Sequence, residues 1–130
     1  MKHLLRLTGL IEAATGLALI VVPGTVVQVL LGAEVAGASI PLARLVGMAL
    51  FALGVACWIA QYDVQAWAAR GVVSAMMLYN MGAVVILGAA GLWSRPVGLA
   101  LWPAVGLHVV MMVWCTTCLR RGPVEIVNDE

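Results

Sequence analysis

Charged positions in this chain stand at the margins of long apolar stretches. Between Glu12 and Asp63 only Glu34 and Arg44 carry charge, and between Arg70 and Arg120 only Arg95 does. A helix needs about 20 apolar residues to cross a hydrocarbon core about 30 Å thick. Residues 4–22, 40–61, 71–92 and 97–119 meet that length. Helices are expected because lipid offers no partner to an open backbone amide. The predicted fold class is therefore all-α, an integral membrane four-helix bundle. Its spans nearly exhaust the chain, so residues 1–130 read as one transmembrane domain with a polar tail at 120–130.

Proline and glycine set the boundaries. Pro23-Gly24 breaks the first span. The apolar segment 25–32 reads as a short interfacial helix, or as a kinked continuation of that span. Pro41 stands near the start of the second span, where its missing N–H costs nothing. Ser94-Arg95-Pro96 reads as a tight turn. Pro103 either kinks the fourth span or marks its true start. Gly9, Ala13 and Gly16 form one small-residue stripe on the first span, and Ala43, Gly47 and Gly54 another on the second. Such stripes let helix backbones approach closely in lipid.

Composition agrees with the pattern. Of 130 residues, 64% are hydrophobic and 10% charged, against about 45–50% and 25% in soluble chains. The mean hydropathy is +1.08. A net charge of +1 supplies no basic patch for nucleic acid. The apolar run after Lys2 and Arg6 is too long for a signal-peptide core, and Glu12 interrupts it. Lys2, Arg6, Arg70, Arg120 and Arg121 fall on one side of the expected membrane and Arg44 and Arg95 on the other. That bias predicts both termini in the cytoplasm, and a multi-pass protein of a bacterial inner membrane. Trp58, Trp67 and Trp114 would then lie toward the inner face, and Trp93 and Trp102 toward the outer one.

Four polar residues at membrane depth are the first candidate site. Glu12, Asn80 and His108 are near mid-span on the first, third and fourth helices, and Arg44 is in the outer part of the second. A charged group at that depth costs about 2.5–3.5 kcal/mol on insertion scales, and intramembrane polar groups usually find partners inside the bundle. As a binding site, Glu12 would carry a proton, His108 would exchange one near neutral pH, and Asn80 would orient a ligand. Arg44 would pair with Glu12 or attract an anion. As a clasp, the same groups would bond to one another and fix helix register.

Sulfur supplies the second candidate. His108, Met111, Met112, Cys115 and Cys118 recur at spacings of three and four on the last span, and Met76, Met77 and Met81 lie on the third. Thioether, thiolate and imidazole suit a soft ion such as Cu(I), although Met and Cys also serve as ordinary apolar packing. Cys115-Thr-Thr-Cys118 is a C-x-x-C, but it ends a helix, where the dipole opposes a thiolate. Phosphate loops, zincin helices and serine elbows are absent from the sequence, and no enzyme activity is expected.

Three functions follow from this reading. The first is a small accessory subunit that packs against a larger membrane complex or associates with itself, with the polar cluster fixing the bundle and no cofactor. The second is a binding or transport protein for a proton-coupled small ligand, a quinone or a soft metal ion. The third is a membrane redox enzyme.

The stretches LTGLIEAATGLALIVVPGTVVQVLLG, ARLVGMALFALGVACW, MLYNMGAVVILG and LWPAVGLHVVMM resemble a group of small four-helix inner-membrane proteins of bacteria, most with no assigned activity. More distantly they are similar to the DoxX-like and DUF4345-like families. The likeness covers nearly the whole chain and rests on Glu12, Pro23, Arg44, Asn80, Pro103 and His108. It implies a four-helix bundle, and through some DoxX-like relatives a link to quinone-coupled redox systems, which is an analogy of fold.

Overall fold

The computed structural model describes residues 1–93 and 97–121. Among these the chain is all-helical, with five helices: α1 (Lys2–Val21), α2 (Pro23–Leu31), α3 (Ser39–Ala60), α4 (Trp67–Trp93) and α5 (Leu101–Arg120). Four of them, α1, α3, α4 and α5, are long and apolar enough to cross a membrane. This is the architecture of a multi-pass membrane protein. The turn expected at 94–96 and the tail beyond 121 lie outside the described residues.

Local chemistry explains the boundaries. Pro23 occupies the first position of α2, and Val22 before it adopts φ −128°, ψ 58°. A residue preceding proline is pushed away from helical ψ, so α1 stops and α2 begins as a separate helix instead of a continued span. Gly32 closes α2 in the left-handed conformation, φ 70°. Pro103 falls in the first turn of α5, where no intrahelical bond needs its amide. It marks the helix start, and α5 begins at Leu101, four residues later than the expected span. α4 begins at Trp67, four residues before its expected start, because Ala66 opens it with a turn in which the Asp63 side chain accepts a bond from the Ala66 amide at 3.2 Å.

The long helices assemble as two antiparallel pairs. α1 packs chiefly on α3, and α4 on α5; the two pairs touch each other far less. The α1–α3 seam is made by the two small-residue stripes. A Cβ placed on Gly54 would stand 2.7 Å from the Ala13 amide and 2.8 Å from the Gly9 carbonyl. One on Gly47 would stand 2.7 Å from the Gly16 carbonyl. Only hydrogen fits at these points, so the two backbones nearly touch. Side chains carry the α4–α5 seam instead, and Arg70 anchors one end of it by donating from Nη2 to the Leu119 carbonyl at 3.0 Å.

At the end of the bundle that holds the start of α1, the pairs share a core. Leu4 and Leu5 of α1, Cys57 of α3, Val73 and Met76 of α4, and Met111 and Cys115 of α5 pack together there. At the opposite end α2 lies against the start of α5. The Ala100 amide donates to the Val29 carbonyl at 2.9 Å, and Gly98 meets Val29 and Leu30 so closely that a side chain there would collide with their backbone.

Candidate functional site

The mid-span polar residues separate into a bonded pair and a group that stands alone. Asn80 is fully buried on α4. Its Nδ2 donates to the Met76 carbonyl one turn earlier, at 2.7 Å, and its Oδ1 lies 2.7 Å from His108 Nδ1 on α5. With the amide nitrogen committed, Oδ1 is an acceptor. Nδ1–H of His108 must then donate, leaving Nε2 as the acceptor of the ring. Tyr79 sets its ring edge-on to the same imidazole, with centroids 5.6 Å apart and planes at 80°. This half of the polar group is a clasp across the α4–α5 seam.

Glu12 is not part of that clasp. It is 5% exposed on α1, and its carboxylate makes no hydrogen bond among the described residues. Thr8 stands one turn before it on the same buried face, and among the described residues the Thr8 hydroxyl is buried without a hydrogen-bond partner.

Arg44 is not brought to this group either. The α1–α3 register pairs Gly16 with Gly47 and Gly9 with Gly54, which sets Arg44 seven residues above the level of Glu12. At 1.5 Å per residue that is about 10 Å along the axis. Arg44 is exposed on the outside of α3, so the expected Glu12–Arg44 pair does not form. Helix rotation decides such a pairing, and a single sequence leaves rotation open.

The sulfur-bearing residues share a face of α5 as their spacing requires. Met111 and Cys115 are buried in the shared core, while Met112 and Cys118 are half-buried. His108 and Cys115 are seven residues apart, about 10 Å along the helix, too far to ligate one ion together. Among the described residues no three His, Cys, Asp or Glu side chains gather closely enough to hold a metal. All three cysteines are free thiols.

Two groups were passed over in the sequence. Thr8 carried a signal, since it stands four residues before Glu12 and so on its face. Tyr79 carried none beyond its place next to Asn80.

The chain matches no protein-family model, no curated protein and no solved structure.

Proposed function

We propose that this protein is a small membrane-embedded accessory component that docks laterally against another transmembrane helix, in a larger complex or in a second copy. The observation that supports this is an uncovered small-residue stripe on α4. Gly71, Ala75, Gly82 and Ala89 follow one another at spacings of four, seven and seven, and so share one face of the helix. A Cβ on Gly71 or Gly82 would meet nothing within 4 Å. Leu78 and Val85 on that face are 62% and 64% exposed. The stripe has the composition of the α1–α3 seam but no helix laid against it. Small residues let transmembrane helices approach to backbone contact, and glycine costs a helix about 1 kcal/mol relative to alanine. A bacterial inner membrane with both termini in the cytoplasm is the setting that the Lys and Arg distribution favours. The resemblance to DoxX-like proteins adds an analogy of fold.

The test is purification of the tagged chain from its own membranes in native nanodiscs, followed by mass spectrometry of everything retained. Stoichiometric larger subunits, or a dimer, that are lost on Gly82→Leu would bear out the reading. A lone chain with neither a second copy nor a larger subunit, carrying a quinone or a metal at stoichiometry, would overturn it.

A second reading has its own support in the buried Thr8 hydroxyl, which has no partner among the described residues and stands one turn from Glu12. Buried polar groups without partners are few in native proteins and call for a guest, water or ligand. On this reading the interior binds a small proton-coupled ligand through Glu12. Glu12→Gln keeps the shape and removes the proton carrier. Ligand binding that keeps its pH dependence in Glu12→Gln would refute this use of the carboxyl.

A further inference from the structure

A groove of about 380 Å³ opens at the end of the bundle where α1 starts and α3 stops. Its polar end is built by His3, Arg6, Gln61 and Tyr62, and its apolar end by Leu7, Leu10 and Trp58. We propose that this groove binds one anionic phospholipid, with the phosphate on Arg6 and the upper acyl chain along Leu10 and Trp58.

The arginine is positioned in advance. Gln61 is 2% exposed, and both ends of its amide are committed. Its Oε1 accepts from Arg6 Nε, and its Nε2 donates to the Trp58 carbonyl at 2.8 Å. That relay ties a surface guanidinium to the end of α3. The two terminal nitrogens of Arg6 make no hydrogen bond among the described residues. They form the edge that takes two phosphate oxygens side by side. Holding the side chain beforehand removes much of the ordering cost of binding.

Charge and polarity run in the sense of a lipid molecule. Among the described residues no carboxylate lines the groove. Asp63, next to Tyr62, turns its side chain into its own turn on the Ala66 amide, and Glu12 is buried. From His3 to Leu10 is seven residues, about 10 Å of helix. Over that length the lining passes from cationic at the helix terminus to apolar toward mid-span. Trp58 and Tyr62, 48% and 74% exposed, are the residue types that sit at headgroup level. A phosphate with an attached chain satisfies both ends, whereas a free anion satisfies only one.

The full chain is delipidated in detergent and offered phosphatidylglycerol and phosphatidylcholine with the same acyl chains at equal concentration. Retention is read by native mass spectrometry. We expect phosphatidylglycerol to be retained roughly tenfold over phosphatidylcholine, the scale of one charge-assisted hydrogen bond. Arg6→Gln should abolish the preference and Gln61→Leu should reduce it, while Arg121→Gln, which removes an equal charge outside the groove, should leave it intact. Should Arg6→Gln fail to fold, Gln61→Leu and Arg121→Gln decide alone. Equal retention of the two lipids, or equal losses in Arg121→Gln and the groove variants, would overturn the proposal. So would displacement of the lipid by inorganic phosphate as effectively as by phosphatidylglycerol, since the groove would then be a site for the anion only.

Discussion

Asn80 Oδ1 lies 2.7 Å from His108 Nδ1 and joins α4 to α5 near mid-span. The Met76 carbonyl holds the other end of the Asn80 amide. The bond therefore fixes the rotation of α4 relative to α5 and selects one imidazole tautomer.

Removing one member of this pair leaves the other buried without a partner, which costs about 1–3 kcal/mol. Measured couplings between transmembrane helices are smaller, about 0.6 kcal/mol on average. We expect Asn80→Leu and His108→Leu each to lower stability. The double variant should cost less than their sum by about 0.5–1.5 kcal/mol. Denaturant unfolding in mixed micelles measures this, and strict additivity would show that the two side chains do not interact.

The glycines divide by what lies against them. A Cβ on Gly16 would stand 2.5 Å from both the Gly47 carbonyl and the Phe51 amide. Gly16→Leu should force the backbones apart and cost about 3 kcal/mol or more, read as a loss of the folded form in detergent. Gly82→Leu, with open space at its Cβ, should leave the isolated chain folded. A comparable loss of folding in both variants would contradict the difference in packing.

Arg70 anchors the end of α5 through the Leu119 carbonyl at 3.0 Å. A cation there also complements the negative end of the α5 dipole. Arg70→Ala should cost about 1 kcal/mol and speed hydrogen exchange at the amides of Thr117 and Cys118. Exchange that stays as slow as in the native chain would mean that the contact contributes nothing.

Glu12 is buried and makes no hydrogen bond among the described residues, so removing it leaves no bonded partner stranded there. The clasp expected from the sequence, in which the mid-span groups bond to one another, would predict the reverse. With the carboxyl unbonded among the described residues, Glu12→Leu should raise the Tm by a few degrees. A lower Tm in thermal unfolding would reveal a partner for the carboxyl.

Thiol chemistry checks the core at the α1 end. Cys57 and Cys115 are fully buried, and Cys118 is half-buried. A membrane-permeant maleimide should label Cys118 first and reach the other two only on unfolding. Early labelling of Cys115 would mean that the shared core opens in the folded protein.

The sequence was most legible where one residue type admits a single physical use. Twenty-residue apolar stretches predict the four long helices, and Pro23 and Gly32 bracket α2. The stripes Gly9–Ala13–Gly16 and Ala43–Gly47–Gly54 predict close helix packing, and Gly47 and Gly54 of the second do meet the first. What the pattern leaves open is rotation. Arg44 and Glu12 sit on helices that pack together, yet one faces outward and the other inward. Depth along a helix follows from counting residues, but the direction of a side chain follows from its neighbours' shapes. For the same reason Asn80 and His108 find each other while Glu12, at similar depth, bonds to neither.

The division into two antiparallel pairs has a mechanical consequence. Where α1 and α3 meet glycine on glycine there is almost no side-chain length to bend, so that pair behaves as one stiff plank. The α4–α5 pair is pinned near mid-span by Asn80 and His108 and near one end by Arg70. Sideways pressure from the surrounding bilayer is therefore absorbed along the thinner boundary between the pairs. The shared core around Cys57, Met76 and Cys115 ties the pairs at one end of that boundary, and α2, bonded through Val29 to Ala100, straps them at the other.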